Sequence, residues 1–447
     1  MNVRRLPGFM YHYKVITMLL FTTMLLVVYL LLHWGIMCTN LEAWRHVSNV
    51  CSTHKKGAAI GILCDPLCSE RGIHSLACET LHAGKEAVFS AHWETTRLVF
   101  KASRTKTPME QFETLFWTDA NGIKHLPSET DFNSMIKDLV VSKLNVTLSQ
   151  HQLERLARLR THRVETEPRR RQLEMENLWP LLQENEYLMS ILYEDRDIFP
   201  QLIGTCGTFY AVEYVRPIET PTTVLALSDS KPEWAKRLKL AVMILDLLEE
   251  LDTNFPEPIH LCDVKINHFG LPLGGQKLKF LDLDAVFPKT IISRITADGK
   301  NCEKHDDCDY FDCRSFCSKN KRCESPVANN NLQVITKDSK VNSINDEIEL
   351  VVKEQLFSKL FILNFSSVNY IIICEKIFLG WTLSGTIIIP GLLMSEHTTS
   401  TLAVLLRQCA NPASDIEHLP RAAVSDNLKT RLYNMLHEME QEVAASV

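Results

Sequence analysis

Two acidic positions, each at the end of a short apolar run, have the residue types that phosphoryl transfer requires. Asp263 lies in residues 260–269, and Asp282 and Asp284 end the run 278–284. Phosphoryl transfer uses one carboxylate to accept or orient the substrate hydroxyl and another to hold a metal ion on the phosphates of ATP. The two acidic positions therefore predict one carboxylate that acts on the substrate hydroxyl and one that holds the metal ion.

The elements that must position these carboxylates follow the order strands, helix, hairpin, long helix and two further strands. The apolar spacing predicts strands at 88–90 and 97–101, helices at 178–192 and 234–251, and a hairpin at 202–214. This order is typical of the α+β class. The net charge of -6 over 447 residues indicates no nucleic-acid partner.

An apolar run at residues 15–37 predicts a membrane helix, because no Asp, Glu, Lys or Arg lies between Lys14 and Glu42. Arg4 and Arg5 precede the run, which keeps the N-terminus cytosolic and places the rest of the chain in the lumen. A cleaved signal peptide is the alternative, although the run is longer than the usual apolar core of such a peptide.

The 14 cysteines form two clusters, and this density indicates an oxidising compartment. The second cluster holds five cysteines, so one must pair outside it or stay free, and Cys262 is a candidate partner. With His305 inside, the same cluster is alternatively a zinc site. A glycosylation sequon at Asn145 fits the lumen. We predict disulfides at Cys302, Cys308, Cys313, Cys317 and Cys323.

An uncharged apolar stretch, residues 377–394, lies in a segment, 356–396, that stands apart from the rest of the chain. Three interpretations are open: a gene-model artefact such as intron read-through, a buried core helix, or a second membrane span. Its length only just suffices for a bilayer, and its glycines are unfavourable in a soluble helix.

Several segments together resemble the divergent protein-kinase-domain family, a group of cysteine-rich single-pass proteins of the endoplasmic reticulum. The resemblance runs from the membrane helix to about residue 335 and does not include 356–396. It implies a two-lobed protein-kinase-like fold, preceded by a transmembrane helix and carrying a disulfide-rich insert. The segments are 177–187 (Asn-Leu-Trp-Pro-Leu-Leu-Gln-Glu-Asn-Glu-Tyr), 206–214 (Cys-Gly-Thr-Phe-Tyr-Ala-Val-Glu-Tyr), 261–265 (Leu-Cys-Asp-Val-Lys) and 302–334.

The resemblance also implies roles for five side chains. Lys101 is similar to the strand lysine that pairs with ATP phosphates, and Glu186 to the helix glutamate that orients it. Asp263 resembles the catalytic-loop aspartate and Asp282 the metal-binding one, with Asp284 as a further metal ligand. A surface lysine at a strand end is the alternative for Lys101. A carboxylate that caps the next turn is the alternative for Asp284.

The chain departs from the family pattern at positions that matter for catalysis. Leu261 stands where His is usual, and His268 stands where a metal-binding Asn is usual. Imidazole suits softer divalent metals better than magnesium, so His268 is included among the metal ligands. No glycine-rich loop precedes Lys101, and residues 160–176 lack the acidic spacing of a calcium loop. The basic residues 169–171 are predicted as a solvated helix start.

These observations predict an atypical kinase that phosphorylates secretory-pathway substrates, using ATP with Mg or Mn and no calcium site. The alternative is a catalytically impaired pseudokinase that acts as a luminal binding scaffold, and a purely structural adaptor is a third hypothesis. The expected location is the endoplasmic reticulum membrane, as a single-pass type II protein with an unknown luminal partner or substrate. Arg4 and Arg5 resemble a di-arginine retrieval signal, although the positive-inside rule also explains them.

The predicted domains follow the sequence order. They are a cytosolic tail (1–14), a transmembrane signal anchor (15–37), a cysteine-rich luminal region (38–80), a kinase-like N-lobe (81–215), and a C-lobe (216–447) that carries the cysteine-rich segment 302–323 and the insert 356–396.

Overall fold

The chain divides into two units whose segments interleave along the sequence. Unit 1 comprises residues 1–133, 154–192 and 201–214, and unit 2 comprises residues 134–153, 193–200 and 215–447. The structure is a computed structural model, and it describes residues 6–33, 40–69, 72–78, 88–102, 115, 117–118, 124–159, 167–218, 230–313, 315–324, 373–383, 386–410 and 426–446.

Unit 1 contains an antiparallel sheet and helices that cover its apolar residues. Its helices are α1 (Leu6–His33), α2 (Asn40–Lys55), α3 (Cys64–Cys68), α6 (Pro168–Gln183) and α7 (Asn185–Leu192), while α4 (Glu129–Leu144) and α5 (Gln150–Leu156) extend across the division into units. Its strands are β1 (Ile73–Cys78), β2 (Val88–Trp93), β3 (Thr96–Ala102), β4 (Trp117–Thr118), β5 (Lys124–His125), β6 (Leu202–Cys206) and β7 (Phe209–Glu213). The main sheet has the order β1-β2-β3-β7-β6, and β4 pairs with β5.

Unit 2 contains a three-stranded sheet, several two-stranded pairs and helices. Its strands are β8 (Val215–Pro217), β9 (Ile259–Leu261), β10 (Phe269–Pro272), β11 (Lys279–Phe280), β12 (Val286–Pro288), β13 (Phe316–Cys317), β14 (Cys323–Glu324), β15 (Gly380–Leu383) and β16 (Thr386–Pro390). Its helices are α8 (Lys231–Thr253), α9 (Lys289–Thr296), α10 (Ser400–Ala410) and α11 (Asp426–Ser446). Single helical turns lie at Glu194–Arg196, Ile266–His268, His305–Cys308 and Ile373–Leu379. The three-stranded sheet has the order β11-β10-β8.

The cysteine-rich region 38–80 shares one apolar core with the main sheet of unit 1. Leu63 from this region and Phe89 and Phe100 from the sheet are fully buried in the same cluster. A disulfide joins Cys64 to Cys206 and ties the region covalently to β6. The two segments approach so closely that a Cβ at Gly61 would lie 2.1 Å from the Thr205 carbonyl oxygen, so only glycine fits there.

The helix predicted at 178–192 is two helices, because the helical backbone is interrupted at Glu184. Glu184 has φ -76° and ψ 122°, which is extended backbone, and α7 starts at the next residue. The hairpin predicted at 202–214 is confirmed as β6 and β7, which pair antiparallel. The helix predicted at 234–251 is confirmed within α8.

The prediction of a solvated helix start at residues 169–171 is wrong for Arg171, which is 7% exposed. Its guanidinium donates to Glu129 Oε2 at 2.7 Å and to Glu174 Oε2 at 2.6 Å. Hydrogen bonding to Arg171 is the main cause that lowers the pKa of Glu129 below its ordinary value. Buried ions need such partners, so this arginine fixes the start of α6.

The C-terminal part of the insert at 356–396 packs into unit 2 where the structure describes it. Ile373, Cys374, Ile377 and Phe378 are buried in the helical turn Ile373–Leu379. A disulfide joins Cys374 to Cys409 in α10. Residues 356–372 and 384–385 of the insert lie outside the described residues.

Helix α1 overlaps the predicted anchor at 15–37. The side chains described in it are exposed, and they include Leu20 at 66% and Met24 at 64%. Among the described residues, no helix meets both the length and the hydropathy required of a membrane span.

We expect the disulfide Cys64–Cys206 to stabilise unit 1 more than the disulfide Cys51–Cys68. The first closes a separation of 142 residues and the second a separation of 17 residues. Loop-closure entropy then predicts losses of about 5 and about 3 kcal/mol for the paired Cys→Ala variants. Urea unfolding of the full chain measures both. Equal losses would contradict the loop-entropy account.

Candidate functional site

Lys101 occupies the polar face of β3, because the strand alternates in burial. Leu98 and Phe100 are fully buried in the core of unit 1, and Lys101 points to the opposite face. Its ammonium makes an ion pair and hydrogen bond with Glu186 Oε1. The two side chains are only 12% and 4% exposed, so water screens the pair weakly.

Glu186 lies in the first turn of α7, two residues after Glu184, where the helical backbone is interrupted. Its second carboxylate oxygen accepts a hydrogen bond from the Tyr210 hydroxyl at 3.2 Å. Tyr210 is the residue that pairs with Lys101 across β3 and β7. Sequence reasoning paired Glu186 with Lys101 but missed Tyr210, which the strand register alone would have identified.

Asp263 lies two residues after the end of β9, between buried neighbours. Leu261, Cys262 and Val264 are at most 2% exposed, whereas Asp263 is half-buried. Upstream in β9, burial lowers the pKa of His260 to about 4, so this histidine is neutral. The Asp263 carboxylate accepts a hydrogen bond from Lys265 Nζ at 2.8 Å. Sequence reasoning gave Lys265 no role.

The structure brings Asp263, His268 and Asp282 together in unit 2. One ligand atom from each lies within 4.8 Å of the other two. His268 ends the turn Ile266–His268, and its carbonyl oxygen accepts a hydrogen bond from the Leu281 N–H at 2.7 Å. The pairing of β10 with β11 therefore sets Asp282 next to the imidazole ring. We call these three residues the carboxylate–histidine cluster.

The tautomer of His268 follows from its hydrogen bonds. Its Nδ1 lies 3.0 Å from the Asp263 carbonyl oxygen, which only accepts, so Nδ1 carries a proton. Its Nε2 then faces Asp282 Oδ2 at 3.4 Å. A lone pair on Nε2 repels this carboxylate unless a proton or a cation lies between them. The arrangement therefore fits a divalent cation, with the His268 imidazole and the Asp282 carboxylate as donors and Asp263 beside them.

Asp284 is not part of the carboxylate–histidine cluster. Its backbone N–H contacts Asp282 Oδ1 at 3.5 Å. Its charge is the second cause, after burial, that raises the pKa of Tyr310. Metal ligation by Asp284 and capping of the turn both stay predictions.

The predicted disulfides of the second cluster are confirmed. Cys302 pairs with Cys317, Cys308 pairs with Cys323, and Cys313 pairs outside the cluster with Cys262. Oxidised sulfurs are not thiolates, so these residues offer no zinc ligands. The fifth cysteine thus links the cluster to the residue before Asp263.

Asn145, the predicted glycosylation site, is exposed at the end of α4. Its side-chain amide donates to Glu257 Oε1 at 3.2 Å, and its φ of 53° is in the left-handed region that asparagine tolerates. Thr147, which completes the sequon, is exposed.

Comparison with protein-family models identifies a divergent kinase-like domain and a cysteine-rich N-terminal region in this chain. Residues 178–360 match the family model described as the protein-kinase domain of FAM69, and residues 4–159 match the model described as the N-terminal cysteine-rich ER region of FAM69. The chain belongs to the FAM69 family.

Matches to solved structures include the following two. The kinase domain of BubR1 has 10% identity and a TM-score of 0.34, covering 83% of this chain and 82% of that one. The Rv3197–erythromycin complex from Mycobacterium tuberculosis has 10% identity and a TM-score of 0.25, covering 90% and 83%. The assignment to the family rests on the family models.

We expect Lys101→Met to destabilise unit 1 by about 3–5 kcal/mol, because it leaves the buried Glu186 carboxylate without its cation. The double variant Lys101→Met/Glu186→Gln should lose less than Lys101→Met alone. Lys236→Met is the control, since its ion pair with Glu233 is 72% and 55% exposed and should contribute at most about 1 kcal/mol. Urea unfolding measures all three. A loss for Lys101→Met no larger than that of the control would contradict the pairing.

Proposed function

We propose that this chain is a membrane-anchored, luminal protein-kinase-like protein that binds ATP with a divalent cation and phosphorylates secretory-pathway substrates. The observation that carries the proposal is the buried Lys101–Glu186 pair on β3 and α7. Membership of a family with a protein-kinase domain supports the same chemistry.

Lys101 is suited to bind the phosphates of ATP. Glu186 fixes its ammonium through one carboxylate oxygen, and Tyr210 holds the other oxygen, so the charge is already oriented before a ligand arrives. Binding then costs little side-chain entropy. An ammonium with three donors matches the distributed charge of a polyphosphate.

The carboxylate–histidine cluster is suited to hold the divalent cation. A cation bound there would supply Lewis acidity and neutralise phosphate charge. Asp282 and His268 Nε2 are its proposed ligands, and manganese fits an imidazole donor better than magnesium. Asp263 would accept the proton of the substrate hydroxyl, and Lys265 would fix the orientation of that carboxylate.

A pseudokinase is the second candidate, and one substitution favours it. His268 stands where a metal-binding asparagine is usual in kinases, which changes the ligand set that supports transfer. A chain that binds nucleotide but transfers no phosphoryl group would serve as a luminal binding scaffold.

The luminal location of the chain is part of the proposal. The disulfides persist only in an oxidising compartment, and the N-terminal match is to a cysteine-rich ER region. The proposed anchor is the apolar run 15–37, most of which lies in α1. Arg4 and Arg5 precede it and are proposed to lie on the cytosolic side. The chain is then a type II protein of the endoplasmic reticulum membrane.

We expect the detergent-solubilised full chain to be stabilised by ATP with manganese. At about 100 times Kd the gain is about 3 kcal/mol, which a thermal shift detects. Asp282→Ala should abolish the shift, while Asp195→Ala, a control aspartate that is 65% exposed, should keep it. His268→Asn should restore the usual ligand set and move the preference from manganese toward magnesium.

This thermal shift, together with a turnover assay on the same samples, separates the candidate functions. Formation of ADP and phosphoprotein that Asp263→Ala abolishes supports a kinase. A shift without turnover supports the pseudokinase. No shift from a folded sample refutes nucleotide binding and leaves the structural adaptor.

We expect the full chain expressed in animal cells to carry a glycan at Asn145 that endoglycosidase H removes. Thr147→Val should lose the glycan yet preserve the contact between Asn145 and Glu257. Asn145→Gln loses both, so a comparison of the two variants separates glycosylation from packing. Absence of the glycan would refute luminal exposure of this residue, and resistance to the enzyme would refute retention in the endoplasmic reticulum.

A further inference from the structure

Asp312, in the cysteine-rich segment, contacts the chain on both sides of Asp263. Its carboxylate Oδ2 accepts a hydrogen bond from the Val264 N–H at 2.8 Å. Its own N–H donates to the Cys262 carbonyl oxygen at 2.8 Å. The adjacent Cys313 is disulfide-bonded to Cys262. Residues 312–313 therefore hold the three residues 262–264 from one side.

The peptide group between Asp263 and Val264 joins Asp312 to His268. Its N–H donates to Asp312 Oδ2, and its carbonyl oxygen accepts the proton of His268 Nδ1 at 3.0 Å. A peptide group is planar, so fixing its N–H fixes the direction of its carbonyl. Asp312 thus orients the acceptor that keeps the proton on Nδ1 and leaves Nε2 for a cation.

Lys376 supplies the charge that Asp312 needs in its buried position. Asp312 is 7% exposed, and an isolated carboxylate at that depth is costly. Lys376 Nζ donates to Asp312 Oδ1, while Val264 occupies Oδ2. The disulfide Cys374–Cys409 anchors the turn that carries Lys376. The insert at 356–396 thereby contributes a contact to the loop around Asp263.

We propose that Asp312 and Lys376 are positioning residues that set the cation-binding orientation of His268 through the Asp263–Val264 peptide group. This inference rests on the proposed function, because it assigns a cation to the carboxylate–histidine cluster. The two residues are expected to touch neither cation nor nucleotide. Partners of this kind, one step removed from a metal, commonly change metal affinity by about 10–100-fold.

The test measures two properties of the detergent-solubilised full chain. Hydrogen–deuterium exchange of the 262–268 peptide is read without metal, and manganese Kd is read by electron paramagnetic resonance. We expect Asp312→Ala to accelerate exchange at Val264 and to weaken manganese binding about 10-fold or more. Lys376→Met, which keeps Asp312 and both disulfides, should weaken binding about 2- to 5-fold, and Lys376→Arg should restore it.

Lys277→Met is the matched control. Lys277 makes a partly exposed ion pair with Glu250 in the same unit. The side chains of Lys277 and Glu250 are 41% and 29% exposed, and those of Lys376 and Asp312 are 39% and 11% exposed. The control should leave both the exchange of residues 262–268 and the manganese Kd unchanged.

Two failures are distinguishable. If the wild-type chain binds no manganese, the cation site of the proposed function is refuted, and the inference falls with it. If the wild-type chain binds manganese while Asp312→Ala and Lys376→Met bind it equally well, the positioning role alone is refuted. Unchanged exchange at Val264 in Asp312→Ala would likewise refute it.

Discussion

A buried carboxylate must be neutralised where it lies, and this constraint shapes both units. Glu186 is held by Lys101 and Tyr210, and Asp312 by Lys376 and the Val264 N–H. Removing water from such groups is expensive, so each needs a cation and a further donor. Both pairs join segments that are distant in the sequence, with separations of 85 and 64 residues. The same contacts that satisfy the charge therefore also fix the fold around the candidate residues.

Two disulfides of unit 2 stabilise segments in which the regular secondary structure is short. Most strands of unit 2 have four residues or fewer, and strands this short are weakly stable by themselves. Cys262–Cys313 ties the loop around Asp263 to the cysteine-rich segment, and Cys374–Cys409 ties the turn that carries Lys376 to α10. These covalent links add to the apolar packing of the same segments, since Cys262 and Cys313 lie in one buried cluster with Ile292.

The sequence predicted the helices and strands that depend on local apolar periodicity. It did not predict features that depend on contacts between residues distant in the sequence. The hairpin at 202–214 and the helix at 234–251 follow from local periodicity, and the structure confirms them. The break at Glu184 follows from backbone geometry that apolar spacing does not encode. Arg171 was predicted to be solvated. That prediction is wrong because the partner that allows its burial, Glu129, lies 42 residues earlier in the chain. Asp312 and Lys376 carry no motif, and only their contacts in the folded chain connect them to the loop around Asp263.

The substitution of asparagine by histidine at position 268 bears on cation binding more directly than on phosphoryl transfer. An asparagine amide carries its acceptor and donors on one group, so it offers oxygen to a cation without help. An imidazole must first have its proton placed, and here the Asp263 carbonyl places it on Nδ1. The site thus depends on the orientation of one peptide group. An imidazole that is oriented in this way can still bind a cation, so the loss of asparagine at this position does not by itself remove the proposed cation site.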